Sequence, residues 1–484
     1  MIEVLDHIPE ELDNLFDSNI CAPTFAELND LAKVDNVDLR VIVVKENEKI
    51  TACLPCCFAL KRHHGVNVKV YATYSGSLHD YQRLYCCSQT AAVELTQGIV
   101  NDAKQCGCDI ISINSVIPGD FIPANFNTKS EIKIFDSKKE EKGWKELYVR
   151  RSVKRFEHDA RKTGDYHVEI IDGRVNDDLM QELKDLHILR WQFAGSSSAF
   201  NSNPDRIRQY LCHPENKHYL RIMLGDEILA CHYGMRYGTT LLWHTPLINP
   251  KFMKLSPLRL LLAEESRYCE ANGFDIIDFG LGDEAYKDGY CHNERQTLVF
   301  NKPLTLKGHI ANLIGQAQTP FVKKQVEQSL NCARKVKSWM DAKKVHWVYF
   351  TAPENAGTFT ENLYVEADSW GGMYDLAKSH NLQVLDWHYL RFKNDDSCKF
   401  VALADEKNIL TYGWTSEKNR ALLEGQNIEG RILYDFQTPE QFRNKGYYTK
   451  LLKHLLANGG GVIYADKKNI PSLKAIRKAG FIQL

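Results

Sequence analysis

Arg443-Asn444-Lys445-Gly446-Tyr447-Tyr448 lies between a strand-like run, ILYDFQT, and an amphipathic run, YYTKLLKHLL. A glycine at a helix start removes side-chain bulk, so the first backbone N–H groups can approach a phosphate. Those N–H groups lack intrahelical partners and sit at the positive end of the helix dipole. Arg443 and Lys445 add charge at the same point. This is the chemistry of anion binding. Further on, Asn469 opens a second helical run, IPSLKAIRKAGF, after a strand.

A second group, Gly282-Asp283-Glu284-Ala285-Tyr286-Lys287, follows the strand-like run FDIIDFG. Ligands of open α/β sheets collect beyond strand ends of this kind. A carboxylate in a partly apolar cleft can act as a general base, a task for Asp283 or Glu284. Tyr286 and Lys287 could bind substrate or polarise a carbonyl. The competing reading has Asp283 capping a turn and Lys287 in a solvated ion pair.

His232 and His244 lie on neighbouring strands, in LACHYGM and LLWHTPL. They are candidates for a base, against the commoner role of satisfied structural histidines. No third ligand is evident beside them, so no metal is expected. Arg150, Lys154 and Arg161 recur at helical spacing with Arg151 and Arg155 alongside, which makes one helix face basic. A solvated surface is the usual reason for such a run.

The elements that must position these residues fall into three blocks by apolar periodicity. Residues 1–143 contain helix-like runs, the hairpin pattern RVIVVKENEKITACLPCCFAL, a helix and a strand. Residues 144–308 repeat that order. Here Ser256 is the expected N-cap and Pro257 the first residue of a helix. Residues 309–344 read as a basic helical connector, and 345–484 as a third block of strands and helices.

At 484 residues the chain is too long for one ordinary core. Sixty-one Lys and Arg against sixty-two Asp and Glu leave a net charge of -1. That balance excludes a protein that coats nucleic acid or an anionic membrane. An acidic start without a signal-peptide pattern, and no apolar run of membrane length, point to the cytoplasm. Cys53 and Cys56 form a CxxC, but no second pair stands at zinc-finger spacing. The fourteen cysteines therefore read as reduced and structural.

The last block resembles the GNAT acyltransferase superfamily. The family's pyrophosphate loop, R/Q-x-x-G-x-G/A, is met by Arg443 and Gly446, with Tyr448 at the second Gly/Ala. Its later Asn and Gly-Phe are met by Asn469 and by Gly480-Phe481. The resemblance implies that residues 443–448 wrap the pyrophosphate of CoA and that Asn469 lies beside the pantetheine arm. The family's tyrosine acid stands at Ile476 here, and the sequence ends at Leu484 before the usual last strands.

The middle block resembles the CelD/FemAB-like branch of that superfamily. The basic helix from Arg151 to Lys162, the pair Arg190-Trp191 and the closing GDEAYK carry the likeness. It implies substrate-binding roles for Tyr286, Lys287, Lys154, Arg155, Arg190 and Trp191, with the basic helix on a diphosphate. The branch's S-P-G appears as Ser256-Pro257-Leu258. Members pair two modules, which makes residues 1–143 a degenerate first half.

The fold expected is α/β: tandem GNAT-like modules, each a mixed, mostly antiparallel sheet flanked by helices. The function implied is N-acylation of an amino sugar, nucleotide-linked in one version, by acyl-CoA in surface polysaccharide synthesis. Aminoacyl transfer from charged tRNA and a non-catalytic scaffold are the alternatives. The near-neutral charge and lack of a long basic arm weigh against tRNA.

Overall fold

A computed structural model describes residues 1–9, 12, 22–63, 66–74, 80–173, 175–202, 214–282, 284–291, 293–317, 347–353, 356–361, 363–418, 423, 428 and 430–484. They form two compact units. The first holds Met1–Ile188, Ala199–Asn249 and the described residues from Leu255 to Ala317. The second holds Leu189–Ser198, Pro250–Lys254 and the described residues from Trp347 onward.

The first unit is built on one sheet. Its strands are β1 (Ile2–Leu5), β2 (Arg40–Glu46), β3 (Lys49–His63), β4 (Val66–Thr73), β5 (Gln82–Arg83), β6 (Tyr85–Cys86) and β7 (Ile110–Ile117). They continue with β8 (Asn127–Asp136), β9 (Tyr166–Asp172), β10 (Lys217–Leu224), β11 (Glu227–Tyr237), β12 (Thr240–Ile248), β13 (Ile276–Asp278) and β14 (Asn293–Pro303). The order is β1-β2-β3-β4-β7-β14-β8-β13-β12-β11-β10-β9, with β5 on β7 and β6 on β3. The first and middle blocks therefore exchange strands: β14 is seated between β7 and β8, and β8 pairs with β13. The boundary expected at residue 144 falls inside this unit.

Local chemistry explains most elements. The polar link of the β2–β3 hairpin has Asn47 and Glu48 at positive φ, matching the twist of its strands. Along the chain run α1 (Phe25–Asp35), α2 (Gln89–Gln105), α3 (Lys145–Tyr148), α4 (Arg151–Thr163), α5 (Asp177–Phe193), α6 (Ala199–Ser202), α7 (Pro257–Ala271) and α8 (Leu306–Ala317). Thr24 and Ser88 cap α1 and α2 by accepting from Glu27 N and Ala91 N. Ser256 does not cap α7 as expected: its backbone is left-handed (φ 52°, ψ 58°) and its hydroxyl makes no cap bond. A cap needs extended backbone to aim the side chain at the first N–H groups. Cys53 and Cys56 are buried core residues of β3, and burial raises both thiols above their usual range.

The second unit has β15 (Trp347–Thr351), β16 (Tyr364–Ala367), β17 (Lys399–Ala404), β18 (Ile409–Ser416), β19 (Ile432–Gln437), β20 (Val462–Asp466) and β21 (Ile482–Gln483). Its helices are α9 (Trp370–Ser379), α10 (Asp386–Asn394), α11 (Tyr447–Ala457) and α12 (Ile470–Ala479). The sheet runs β16-β17-β18-β19-β20-β15-β21. Every pairing in it is antiparallel except β19–β20. The place beside β20 is taken by β15, which precedes the other strands of this sheet in the chain. α11 buries Leu451, Leu452, Leu455 and Leu456 on the sheet, at about 1.5–3 kcal/mol per fully buried leucine.

Most of the expected connector, residues 318–344, lies outside the described residues; its start is α8. No helix among the described residues is long and apolar enough to cross a membrane.

Candidate active site

The second unit opens where its two parallel strands part. β19 and β20 pair only at Ile432–Val462 and Leu433–Ile463. Just beyond, the β18–β19 register slips by one residue opposite Gly413, and Asp435 adopts φ 49°. Such a bulge bends its strand. Gly413 makes it feasible, because a Cβ there would lie 2.3 Å from Phe436 Cδ1. The end of β19 borders a cavity of about 1230 Å³ lined by residues from β18, β19, α10, α11 and α12.

The start of α11 lies at this cavity. Gly446 is the N-cap of α11 at φ 82°, with no side-chain cap, and a Cβ added there would meet no heavy atom within 4 Å. The first N–H groups of the helix therefore have no side-chain acceptor. Asn444 at φ 63° completes the tight turn. Arg443 donates from Nε to Thr438 O at 3.2 Å, which orients the guanidinium at the cavity edge. Lys445 holds its Nζ 5.6 Å from the Phe442 ring centre and is not part of the lining. Tyr447 and Tyr448 are half-buried in the wall. The Tyr448 hydroxyl lies 3.2 Å from Ser472 Oγ, and burial pushes it up to about 12. Asn469 also lines the cavity, and its Oδ1 accepts from Ser472 N to cap α12. Ile476 is fully buried in the apolar core, so no group at that position reaches the cavity.

The candidates of the middle block meet different fates. Asp283 lies outside the described residues. Glu284 is largely exposed and pairs with Lys287 at 2.7 Å. Lys287 is buried, with Nζ donating to Leu281 O (2.8 Å) and Gly282 O (3.2 Å). Its ammonium closes the 281–287 turn, so neither the expected substrate contact nor a solvated ion pair describes it. The Tyr286 hydroxyl accepts from Trp243 Nε1 at 3.2 Å. Lys154 and Arg155 stand exposed on α4, Arg155 over the Phe156 ring. Arg190 and Trp191, on the last turn of α5, fall in the second unit.

His232 is not paired with His244, whose Nδ1 lies 2.7 Å from Thr245 Oγ1. Instead the fold adds three residues that the sequence did not single out. Glu265 on α7 takes His232 Nδ1 at 2.6 Å and His218 Nε2 at 2.9 Å. Asp172 takes His218 Nδ1 at 2.8 Å and the Tyr268 hydroxyl at 2.8 Å. His218, His232 and Glu265 are fully buried. Burial opposes the charged forms, but the two carboxylates override it at His218 and hold that imidazole at about 9. Burial likewise opposes the Glu265 charge, and the two histidines override it, holding the carboxyl at about 2. Burial lowers His232, which stays neutral. Its Nδ1–H donates to Glu265, leaving the Nε2 lone pair buried without a partner among the described residues.

The three ligating atoms lie within 4.8 Å of one another, a spacing open to a metal ion. The 2.6 and 2.9 Å contacts are hydrogen-bond lengths, and the Glu265 carboxylate is already matched by the His218 cation, as Asp172 is by Arg236 at 3.4 Å. Trp243 stacks on His232 at 4.3 Å, so aromatic packing fills this part of the middle block.

With this geometry in hand, residues 148–288 match the family described as acetyltransferase (GNAT) domain. The chain carries a GNAT acyltransferase domain. No curated protein matches the chain in sequence. Solved structures similar to it include FemX, at 11% identity over 64% of this chain and 99% of that one, TM-score 0.44. Another is the C-terminal domain of a putative lysylphosphatidylglycerol synthetase from Agrobacterium fabrum, at 13% identity over 60% and 92%, TM-score 0.40. A third is a tandem GNAT protein from the clavulanic acid biosynthesis pathway, at 7% identity over 63% and 98%, TM-score 0.39.

Proposed function

We propose that this GNAT protein transfers an acyl group from acyl-CoA to an amine, with the donor held in the cavity of the second unit. The observation that carries the reading is the uncapped, glycine-led start of α11 at a large cavity beside the end of β19, where that strand no longer pairs with β20. Unpaired N–H groups and Arg443 suit a pyrophosphate, and the long cavity suits the arm that follows it. The roles proposed for Arg443, Asn444, Gly446, Tyr447, Tyr448 and Asn469 are contacts to that donor; Lys445 adds charge from outside the wall.

In the reaction an amine nitrogen attacks the thioester carbonyl, the C–S bond breaks, an amide forms, and the amine proton leaves to solvent. The leaving sulfur needs a hydrogen-bond donor. Ile476 cannot serve, and the Tyr448 hydroxyl is the cavity-lining donor that takes its place. The middle block supplies a packed scaffold, its polar groups turned into the Asp172–His218–Glu265–His232 chain and the Lys287 turn. An amino sugar is the proposed acceptor and the cytoplasm, where acyl-CoA is found, the proposed compartment.

The test is release of free thiol from acetyl-CoA and longer acyl-CoAs in the presence of amino sugars, free and nucleotide-linked. Amine-dependent release that falls at least tenfold in Tyr448→Phe supports the reading. No release with any donor and acceptor pair removes it.

A further inference from the structure

The bulge of β19 is built on an uncommon residue. Tyr412 pairs with Gln437 and Trp414 with Tyr434, so Asp435 and Phe436 together oppose Gly413. In one class of bulge the first extra residue is a glycine in the left-handed region. Here that place belongs to Asp435, at φ 49°. Aspartate visits this region more readily than most residues, yet a side chain stays in it only where its surroundings hold it.

The bulge shapes the cavity wall. Past it, Phe436, Gln437 and Thr438 line the cavity in succession, whereas a flat strand sends alternate residues to opposite faces. Phe436 lies against Gly413, and Gln437 Oε1 accepts from the Tyr412 hydroxyl at 2.8 Å. The backbone of Asp435 therefore decides where these side chains stand.

One side chain holds Asp435. The Arg391 guanidinium, on α10, pairs with its carboxylate. The guanidinium carbon also lies 5.1 Å from the Trp387 ring centre, 5.3 Å from that of Trp414 and 5.1 Å from that of Tyr434. A cation set among three aromatic faces is fixed in place before it meets its partner. α10 itself puts Trp387 and His388 in the cavity wall, but neither Arg391 nor Asp435 is among the described residues that line it. The Asp435 side chain is 53% exposed, so the pair adds little to overall stability, and its effect is on geometry.

We propose that Arg391 is a positioning residue for the acyl donor: it holds Asp435 in the left-handed turn and, through that turn, keeps Phe436 and Gln437 in the wall that the donor meets. The inference rests on the donor reading above and names what shapes that site.

The experiment asks whether glycine at position 435 makes Arg391 dispensable. Acetyl-CoA affinity is measured by calorimetry in wild type, Arg391→Met, Arg391→Lys, Asp435→Gly, Asp435→Ala and the double variant Arg391→Met/Asp435→Gly. Methionine keeps packing on the rings and loses the cation, while lysine keeps a cation without the flat stacking. Alanine and glycine both lose the carboxylate, but only glycine takes a left-handed backbone freely. Expected are an affinity about tenfold lower in Arg391→Met and in Asp435→Ala, and partial recovery in Arg391→Lys, because binding falls with the fraction of molecules in the competent shape. Asp435→Gly and the double variant should stay within about threefold of wild type, a rescue that a merely structural arginine would not show.

Unchanged affinity in Arg391→Met, or a double variant as weak as Arg391→Met, overturns the proposal. Equal affinities of Asp435→Ala and Asp435→Gly overturn it too, and that comparison decides the matter should Arg391→Met fail to fold. Should acetyl-CoA fail to bind wild type, the donor reading falls by itself. The hold on Asp435 is then judged by amide exchange over residues 434–438. Faster exchange in Arg391→Met, restored in the double variant, upholds it; exchange that is unchanged, or not restored, overturns it.

Discussion

Replacing Glu265 by glutamine removes a buried charge while keeping the side chain's volume. The amide oxygen can still accept from His232, and the amide N–H can face His218 only if that ring gives up its proton. In the native protein His218 is held at about 9 against an ordinary 6.5, with Glu265 the first of its two carboxylate partners. At about 1.4 kcal/mol per tenfold change in proton affinity, that rise, already net of the opposing effect of burial, is worth about 3 kcal/mol. Glu265 is the strongest of the groups that raise it.

The sign follows from linkage. A histidine raised on folding stabilises fully below pH 6.5, and that contribution fades as pH climbs through about 9. Glu265→Gln should therefore be less stable at pH 6, by up to about 3 kcal/mol, and approach wild type near pH 9.5. Amide hydrogen exchange at β10 and β11 measures this, because protection there reports the opening of the strands that carry His218 and His232. A loss under about 0.5 kcal/mol at pH 6, or one that does not change with pH, refutes the charge assignment.

Two further substitutions test the geometry. Gly413→Ala puts a methyl against the Phe436 ring, so Phe436 must shift towards the cavity; a stability cost of about 1–3 kcal/mol and weaker acetyl-CoA binding are expected from denaturation and titration. Glu284→Gln should leave turnover within about twofold of wild type, because Glu284 pairs with Lys287 while the proposed chemistry uses the second unit. A tenfold loss of kcat in a folded Glu284→Gln protein would return catalysis to the middle block.

The glycine-led start of α11 was legible because its signals are local. The left-handed Gly446, the uncapped helix and Arg443 are written within six residues. The His218–Glu265–His232 cluster was not. The Gly225-Asp226 turn, continued without a break, sets His218 opposite Tyr233 and puts the two histidines on opposite faces of the hairpin. A bulge between Ile222 and Met223 slips the register by one, so His218 faces Gly234 and His232 faces Leu220. A one-residue slip moves a side chain to the other face.

Glu265 then arrives from α7, by packing that no spacing records. His388 was missed for a related reason. It lines the cavity from a helix some fifty-five residues before the 443–448 loop, and a histidine in DWHYL carries no sign of its own. Lys287 was misjudged because a lysine reads as a surface group until its three oxygen partners are seen.

The central claim is that the donor sits at the start of α11. The most direct measurement is calorimetric titration of acetyl-CoA into wild type and Gly446→Glu. The substitution puts a carboxylate at the N–H groups proposed for the pyrophosphate, at a position whose φ of 82° a side chain rarely adopts. Binding in wild type and a loss of at least a hundredfold in Gly446→Glu, with β19 and β20 still protected from exchange, is the result predicted. Equal affinity in the two proteins would contradict the account and move the donor to the middle block.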